Sequence, residues 1–196
     1  MNFLAHLYLS GSDINIRLGN FIGDYVKGRN YERFPIGVQK GIALHRAIDT
    51  FTDKHSSTRS CKELLSPGYG KYSGVVVDVL FDHVLANEWL KYSQSDLKWF
   101  TRSFYFQMVQ HYSILPDRVK KFLPFMIQSN RLYSYRTEAG VKKALEIMSS
   151  VTSLPENSIY AIETLNNSYN QLSSHFNTLF PELKEYVSAE FGIPFQ

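Results

Sequence analysis

The sequence predicts an all-α protein: a multi-helix bundle forming one domain across residues 1–196. Three observations carry that prediction. Apolar residues recur at helical spacing through most of the chain, as with Val79, Leu80, Val84 and Leu85. No hairpin signal such as Asn-Gly lies between alternating apolar runs. The seven prolines and eleven glycines gather between the periodic segments rather than inside them.

The elements follow in order. Residues 2–10 form a short amphipathic opening. Asp13 is placed to cap a helix to about Lys27, with Gly28 as its stop. Pro35 fits the first turn of a long helix that reaches about His55. The stretch "SSTRSCKELLSPGYGKYS" reads as an irregular connector with a short helix near residues 59–65, because Pro67, Gly68 and Gly70 interrupt it. "GVVVDVLFDHVLANEWLKY" starts with β-branched residues, yet its apolar set fits a period of 3.6 better than 2. Ser95 caps a helix to about Leu115, and Pro116 precedes another to about Asn130. Thr137 opens a helix to Val151, Pro155 opens a long one to about Phe180, and Pro181 starts a last helix ending near Gly192.

Composition narrows the function classes. With 44% hydrophobic and 20% charged residues, the chain is globular. A formal charge of +3 lacks the concentrated basic stripe of a general nucleic-acid binder. Cys61 is the only cysteine, which excludes an internal disulfide and a thiolate metal cluster and suits a reducing compartment. The opening "MNFLAHLYLSGS" lacks the basic lead of a signal peptide, and no run approaches the ~20 apolar residues of a membrane span. The expectation is a cytoplasmic protein that meets neither membrane nor nucleic acid.

Chemistry concentrates in the first half. "GIALHRAIDTFTDKH" sets His45, Asp49 and Asp53 four residues apart, on one helix face, with His55 after them. Asp78 and Asp82 repeat that spacing, and His83 follows directly. His6 lies in the opening segment, and Asp24 lies near the end of the second helix, where a carboxylate opposes the helix dipole. Imidazole with carboxylate suits first-row divalent ions, and helical proteins build such sites from several helices. The same spacing also fits a wetted helix face, with Arg46 pairing Asp49 or Asp53 and His83 packed in the core. His111 and His175 lack acidic neighbours at ligand spacing and read as structural.

"MNFLAHLYLS", "RLGNFIGDYVKG", "GIALHRAIDTFTDKH" and "VVVDVLFDHVLANEW" together resemble the acyl carrier protein phosphodiesterase family, in order and at similar separations over about the first 90 residues. The resemblance implies hydrolysis of 4'-phosphopantetheine from the serine of holo-acyl carrier protein. It also implies a divalent cation, Mn2+ first with Mg2+ or Fe2+ as alternatives, and distant kinship with the all-helical HD phosphohydrolases. The HD pattern does not thread directly, because the only adjacent pair here, Asp82-His83, is reversed. By motif position, Asp24, His45, Asp49, Asp82 and His83 are the implied metal ligands. Asp78 and His6 come next, and Asp53 and His55 fall outside.

A phosphodiester repels nucleophiles and has a poor leaving group; a divalent ion answers both difficulties. Asp49 or Asp78 is then expected to orient water, and His83 or His55 to protonate the departing oxygen. Because carrier proteins are acidic around the modified serine, Lys27, Arg29, Arg46 and Arg59 are the expected contacts for the partner. Two other classes compete: a phosphohydrolase of nucleotides or other small phosphoesters, and a non-catalytic helical binding module. The sequence leaves oligomeric state open.

Overall fold

The computed structural model describes residues 1–195, and it is helical throughout, with no strand among them. Eleven α-helices occur in the described residues: α1 (Phe3–Leu9), α2 (Ile14–Ile22), α3 (Ile36–Lys54), α4 (Ser56–Tyr69), α5 (Ser73–Asn87), α6 (Trp89–Tyr92), α7 (Leu97–Gln110), α8 (Asp117–Gln128), α9 (Arg131–Ser134), α10 (Glu138–Val151) and α11 (Ser158–Phe191). One hydrophobic cluster runs through them from Met1 to Ile193. The all-α expectation therefore holds.

Several boundaries differ from expectation. The second helix stops at Ile22, and tight 3-10 turns at Gly23–Tyr25 and Gly28–Arg33 carry the chain to α3. The supposed connector after His55 is the continuous helix α4, with Pro67 inside it. The His55 ring caps it by accepting from Ser57 N, and Thr58, Cys61, Leu65 and Tyr69 form a buried stripe. That stripe packs between α5 and α11, so burial overrides the Pro-Gly signal. Likewise α11 runs straight through Pro181, because Phe176, Phe180, Leu183 and Val187 continue one buried face across it; the break falls at Ser168 instead. A smaller shift moves the α7 cap to Asp96, which accepts from Trp99 N.

The pair α2–α3 decides where the site lies. A side chain at Gly19 would meet Val38 O at 2.0 Å, and one at Gly41 would meet Ile16 O at 2.2 Å. The two backbones thus touch, a distance that any Cβ would prevent. Gly23, one turn on, lies flat against the His45 ring, where a Cβ would come within 2.3 Å. This contact sets the end of α2 directly over the middle of α3. Helix α1 lies across both α2 and α5. Its N-terminus is capped from a distance by Asp82 of α5, whose carboxylate accepts from Leu4 N (2.7 Å) and Ala5 N (3.0 Å).

Gly41→Ala is expected to force the helices apart against backbone atoms that cannot rotate away. We expect a loss of about 3 kcal/mol, seen as a melting temperature lower by roughly 6–12 °C for a chain of this size. An unchanged melting curve would show that the crossing has slack.

Candidate functional site

Where α1, α2 and α3 meet, His6, His45 and Asp49 each offer a ligand atom within 4.8 Å of the others. The two imidazoles stack, with ring centroids 4.2 Å apart. Their common support is Asn20 on α2, which is fully buried. The Asn20 amide nitrogen donates to His6 O (2.8 Å) and Ser10 Oγ (2.9 Å), so Oδ1 must face the rings. Oδ1 lies 2.8 Å from His6 Nδ1 and 3.2 Å from His45 Nδ1. An amide oxygen only accepts, so both Nδ1 atoms carry protons.

That fixes what the Nε2 atoms can do. His6 Nε2 points at Asp49 Oδ1 (3.1 Å) and Met1 O (3.0 Å). His45 Nε2 points at Asp49 Oδ2 (3.2 Å) and Asp24 Oδ1 (3.1 Å). Burial, aided by neighbouring His45, pushes His6 down to about 4, so its imidazole is neutral at pH 7. A neutral His6 with its proton on Nδ1 sets a lone pair against two oxygen acceptors, with no hydrogen between them. Separations of roughly 3 Å are those of adjacent ligand atoms around a first-row ion. The donor set of two imidazoles with carboxylates is chemically suited to a first-row divalent ion such as Mn2+, Fe2+ or Zn2+.

Without an ion, charge pairing ties the group together. Burial opposes the charged form of His45, but hydrogen bonds to Asp24 and Asp49 raise it to about 9. Burial likewise works against the Asp49 carboxylate, yet the hydrogen bond from charged His45 holds it well below the usual carboxylate range. His45 holds Asp24 below its ordinary value too. Next to this group stands the Met1 amine, 3.0 Å from Asp78 Oδ1 and 3.8 Å from Asp49 Oδ1. Asp78 in turn borders a cleft of about 490 Å³ lined by α4 and the start of α5, with Arg59, Lys62, Lys71, Asp53 and Glu63 on its walls.

Two of the expected ligands lie elsewhere. Asp82 spends both oxygens on the α1 cap and is fully buried, with burial pushing it up to about 7. His83 is one residue on, turned by about 100° around α5. Its Nδ1 meets Tyr135 O at 2.7 Å, and it borders a separate pocket with Asn87, Arg136 and Tyr169. Neither its expected ligand role nor its expected proton transfer fits that position. His55 is committed to capping α4 and to Glu182 (3.2 Å), which removes it as a proton donor. Arg46 is exposed, and its guanidinium donates to Val26 O (2.9 Å) and Gly28 O (3.3 Å), holding the 3-10 segment. Arg29 is exposed but pairs with Glu32 at 3.3 Å, and Lys27 is exposed beside it. The residue that sequence reasoning missed is Asn20, which carries no charge to mark it. Its only signal was its place two residues after Leu18 in "RLGNFIGD", three before the glycine that makes room for His45.

The fold and the cluster define an all-helical chain with an imidazole-carboxylate centre at its α1–α2–α3 junction. The family profile for acyl carrier protein phosphodiesterase matches residues 1–183, and the chain belongs to that enzyme family. Among relatives, the acyl carrier protein phosphodiesterase of Serratia proteamaculans is 26% identical over 186 residues, covering 94% of this chain and 96% of that protein. Those of Enterobacter sp. strain 638 and Escherichia coli O6:H1 are each 29% identical, covering 91% and 96% of this chain and 90% and 98% of theirs. No solved structure matches. No helix among the described residues is long and apolar enough to cross a membrane.

The raised His45 value has a stability consequence. Folding favours its protonated form, so that contribution is complete below its ordinary 6.5 and is lost as pH rises through about 9. Metal-free protein is therefore expected to melt at progressively lower temperature from pH 7 to 9, with His45→Gln flattening that limb. Parallel curves for the two proteins would exclude an ion-paired His45.

Proposed function

We propose that the chain is a metal-dependent phosphodiesterase that releases 4'-phosphopantetheine from the serine of holo-acyl carrier protein, leaving the apo carrier. On this reading residues 1–196 act as one cytoplasmic phosphodiesterase domain, and the kinship with HD phosphohydrolases is part of the same proposal. One observation carries it: His6 Nε2, His45 Nε2 and both Asp49 oxygens converge without a proton to share at His6, in a chain of this family.

His6, His45 and Asp49 would hold the ion, with Asp24 at its open side; Mn2+ is the favoured occupant, with Fe2+ or Mg2+ as alternatives. The ion, when bound, withdraws charge from the phosphodiester and acidifies water. The protein does the rest through its own groups. Asn20 keeps both rings in the Nδ1–H form, so that each offers a lone pair inward. His45 must give up its extra proton before it can serve as a ligand, so loading of the site is expected to release a proton to solvent. Asp78, half-exposed and facing both the Met1 amine and the cleft, is the carboxylate placed to orient water and take its proton. The cleft beyond Asp78, about 490 Å³, is where the pantetheine arm would lie, with its charges of both signs leaving no strong net field on an uncharged amide chain.

The decisive measurement is mass spectrometry of holo-carrier incubated with the protein and Mn2+, with a chelator control. Loss of the phosphopantetheine mass is expected; hydrolysis of free nucleotides with an untouched holo-carrier would favour the small-phosphoester reading. His45→Ala and Asp49→Ala are expected to reduce release by about 100-fold or more, with helical circular dichroism preserved. His83→Ala is expected to stay within about threefold of wild type, because His83 borders a different pocket. Equal losses at His83 and His45 would mean that both histidines serve one centre.

Asn20→Leu keeps the volume but removes the acceptor that fixes both rings. Mn2+ affinity, read by isothermal titration, is expected to fall by about 10–100-fold, the usual cost of losing a group that orients a metal ligand. An unchanged affinity would mean that packing alone sets the two imidazoles.

A further inference from the structure

The mild overall charge conceals an uneven distribution. Residues 97–137 carry seven Lys and Arg side chains and a single acidic one, Asp117. Within that stretch, α8 buries Val119, Leu123 and Met126 and turns an opposite stripe outward. Arg118, Lys121 and Phe125, spaced by three and four, form the outward stripe, with Phe125 69% exposed. Phe125 thus stands in water beside two cations, on a helix whose opposite face is packed.

The stripe is not remote from the centre. The Arg118 guanidinium lies 5.7 Å from the Tyr25 ring, and Phe122 packs 5.3 Å from that same ring. Tyr25 directly follows Asp24, the exposed member of the imidazole-carboxylate group. A shallow cleft of about 390 Å³ then separates the start of α8 from residues 33–35.

We propose that this face of α8 is the docking surface for the acidic carrier protein, and that the contact is made by the second half of the chain; this rests on the phosphodiesterase reading. Geometry and charge both favour it. The scissile bond joins phosphorus to a serine oxygen only two bonds from the carrier's main chain, so the carrier must lie against the rim of the centre. Two clefts near the centre are flanked by basic groups. On the α4–α5 side, Arg59, Lys62 and Lys71 face Asp53, Glu63 and Asp78, and Lys62 is already spent on Asp53 at 2.9 Å. That side has no net charge to offer. On the α8 side, Arg118 and Lys121 have no carboxylate partner among the described residues, and Phe125 supplies the apolar anchor that charge alone does not.

The double variant Lys121→Glu/Phe125→Ser tests the proposal, with Lys142→Glu on α10 as the control. At low ionic strength the double variant is expected to lose about tenfold or more in kcat/KM for holo-carrier, the loss falling on KM and shrinking as salt is added. Lys142→Glu is expected to behave as wild type, and matching melting temperatures would confirm that all three proteins are folded. Binding of unmodified apo carrier, measured by isothermal titration, is expected to weaken by a similar factor. That second measurement needs no turnover, so it decides the docking surface even if wild-type protein releases no phosphopantetheine. Unchanged kcat/KM and unchanged apo-carrier binding would overturn the proposal. So would a double variant that loses sedimentation with anionic phospholipid vesicles while its behaviour toward carrier is unaltered, since the stripe would then serve a lipid surface.

Discussion

Helices α2 and α3 meet backbone to backbone at Gly19 and Gly41, and the centre exists because they do. Had either position carried a side chain, the axes would stand farther apart and the chain would pass Asn20 and Asp24 out of reach of His45. Gly23 repeats the device one turn later, lying flat against the imidazole itself. Small residues thus do in this bundle what long polar side chains cannot: they bring two rigid elements near enough for short side chains to share atoms.

A second constraint acts on protons rather than on distance. Asn20 is an uncharged amide, yet it dictates the protonation pattern of two histidines on different helices. Its nitrogen is fixed by His6 O and Ser10 Oγ and its oxygen can only accept, so both Nδ1 atoms carry protons; the far Nε2 is then a lone pair on neutral His6 and a second N–H on charged His45. The acids then compete with one another for what those rings offer. Asp49 lies between both imidazoles, Asp24 holds the outer side of His45, and Asp78 answers the Met1 amine. Asp24 and Asp49 share His45, Asp49 alone also reaches His6, and Asp78 is closest to the amine, so three similar groups hold three different positions around one centre.

Much of this could be read from spacing, and the rest failed for identifiable reasons. His45 and Asp49 are four apart on a helix, and that periodicity does place them side by side. Asp78 and Asp82 share the same spacing, but spacing says only which residues share a face. It does not say what the face meets, and one turn along α5 the neighbour changes from the Met1 amine to the bare N-terminus of α1. His83 was misleading because adjacency in sequence is a wide rotation on a helix. The fold class was legible from periodicity, whereas α4 and the continuation of α11 through Pro181 were not. Pro67 and Pro181 are local punctuation, and each lies within a buried stripe whose packing outweighs it. The outward face of α8 escaped notice because whole-chain charge averages a basic segment with an acidic remainder.

Helix α1 has seven residues, too few to stay helical in water by itself. It remains in place through its buried leucines, through Asp82 at its N-terminus, and through His6, which reaches the centre from it. Docking of this short helix and completion of the centre are therefore a single equilibrium seen from two ends. Free energy gained at the His6 ring is returned as tighter seating of α1, and the exchange is reciprocal. Loss of the Asp82 cap and loss of the His6 ring should then combine sub-additively, like two cuts through the same rope.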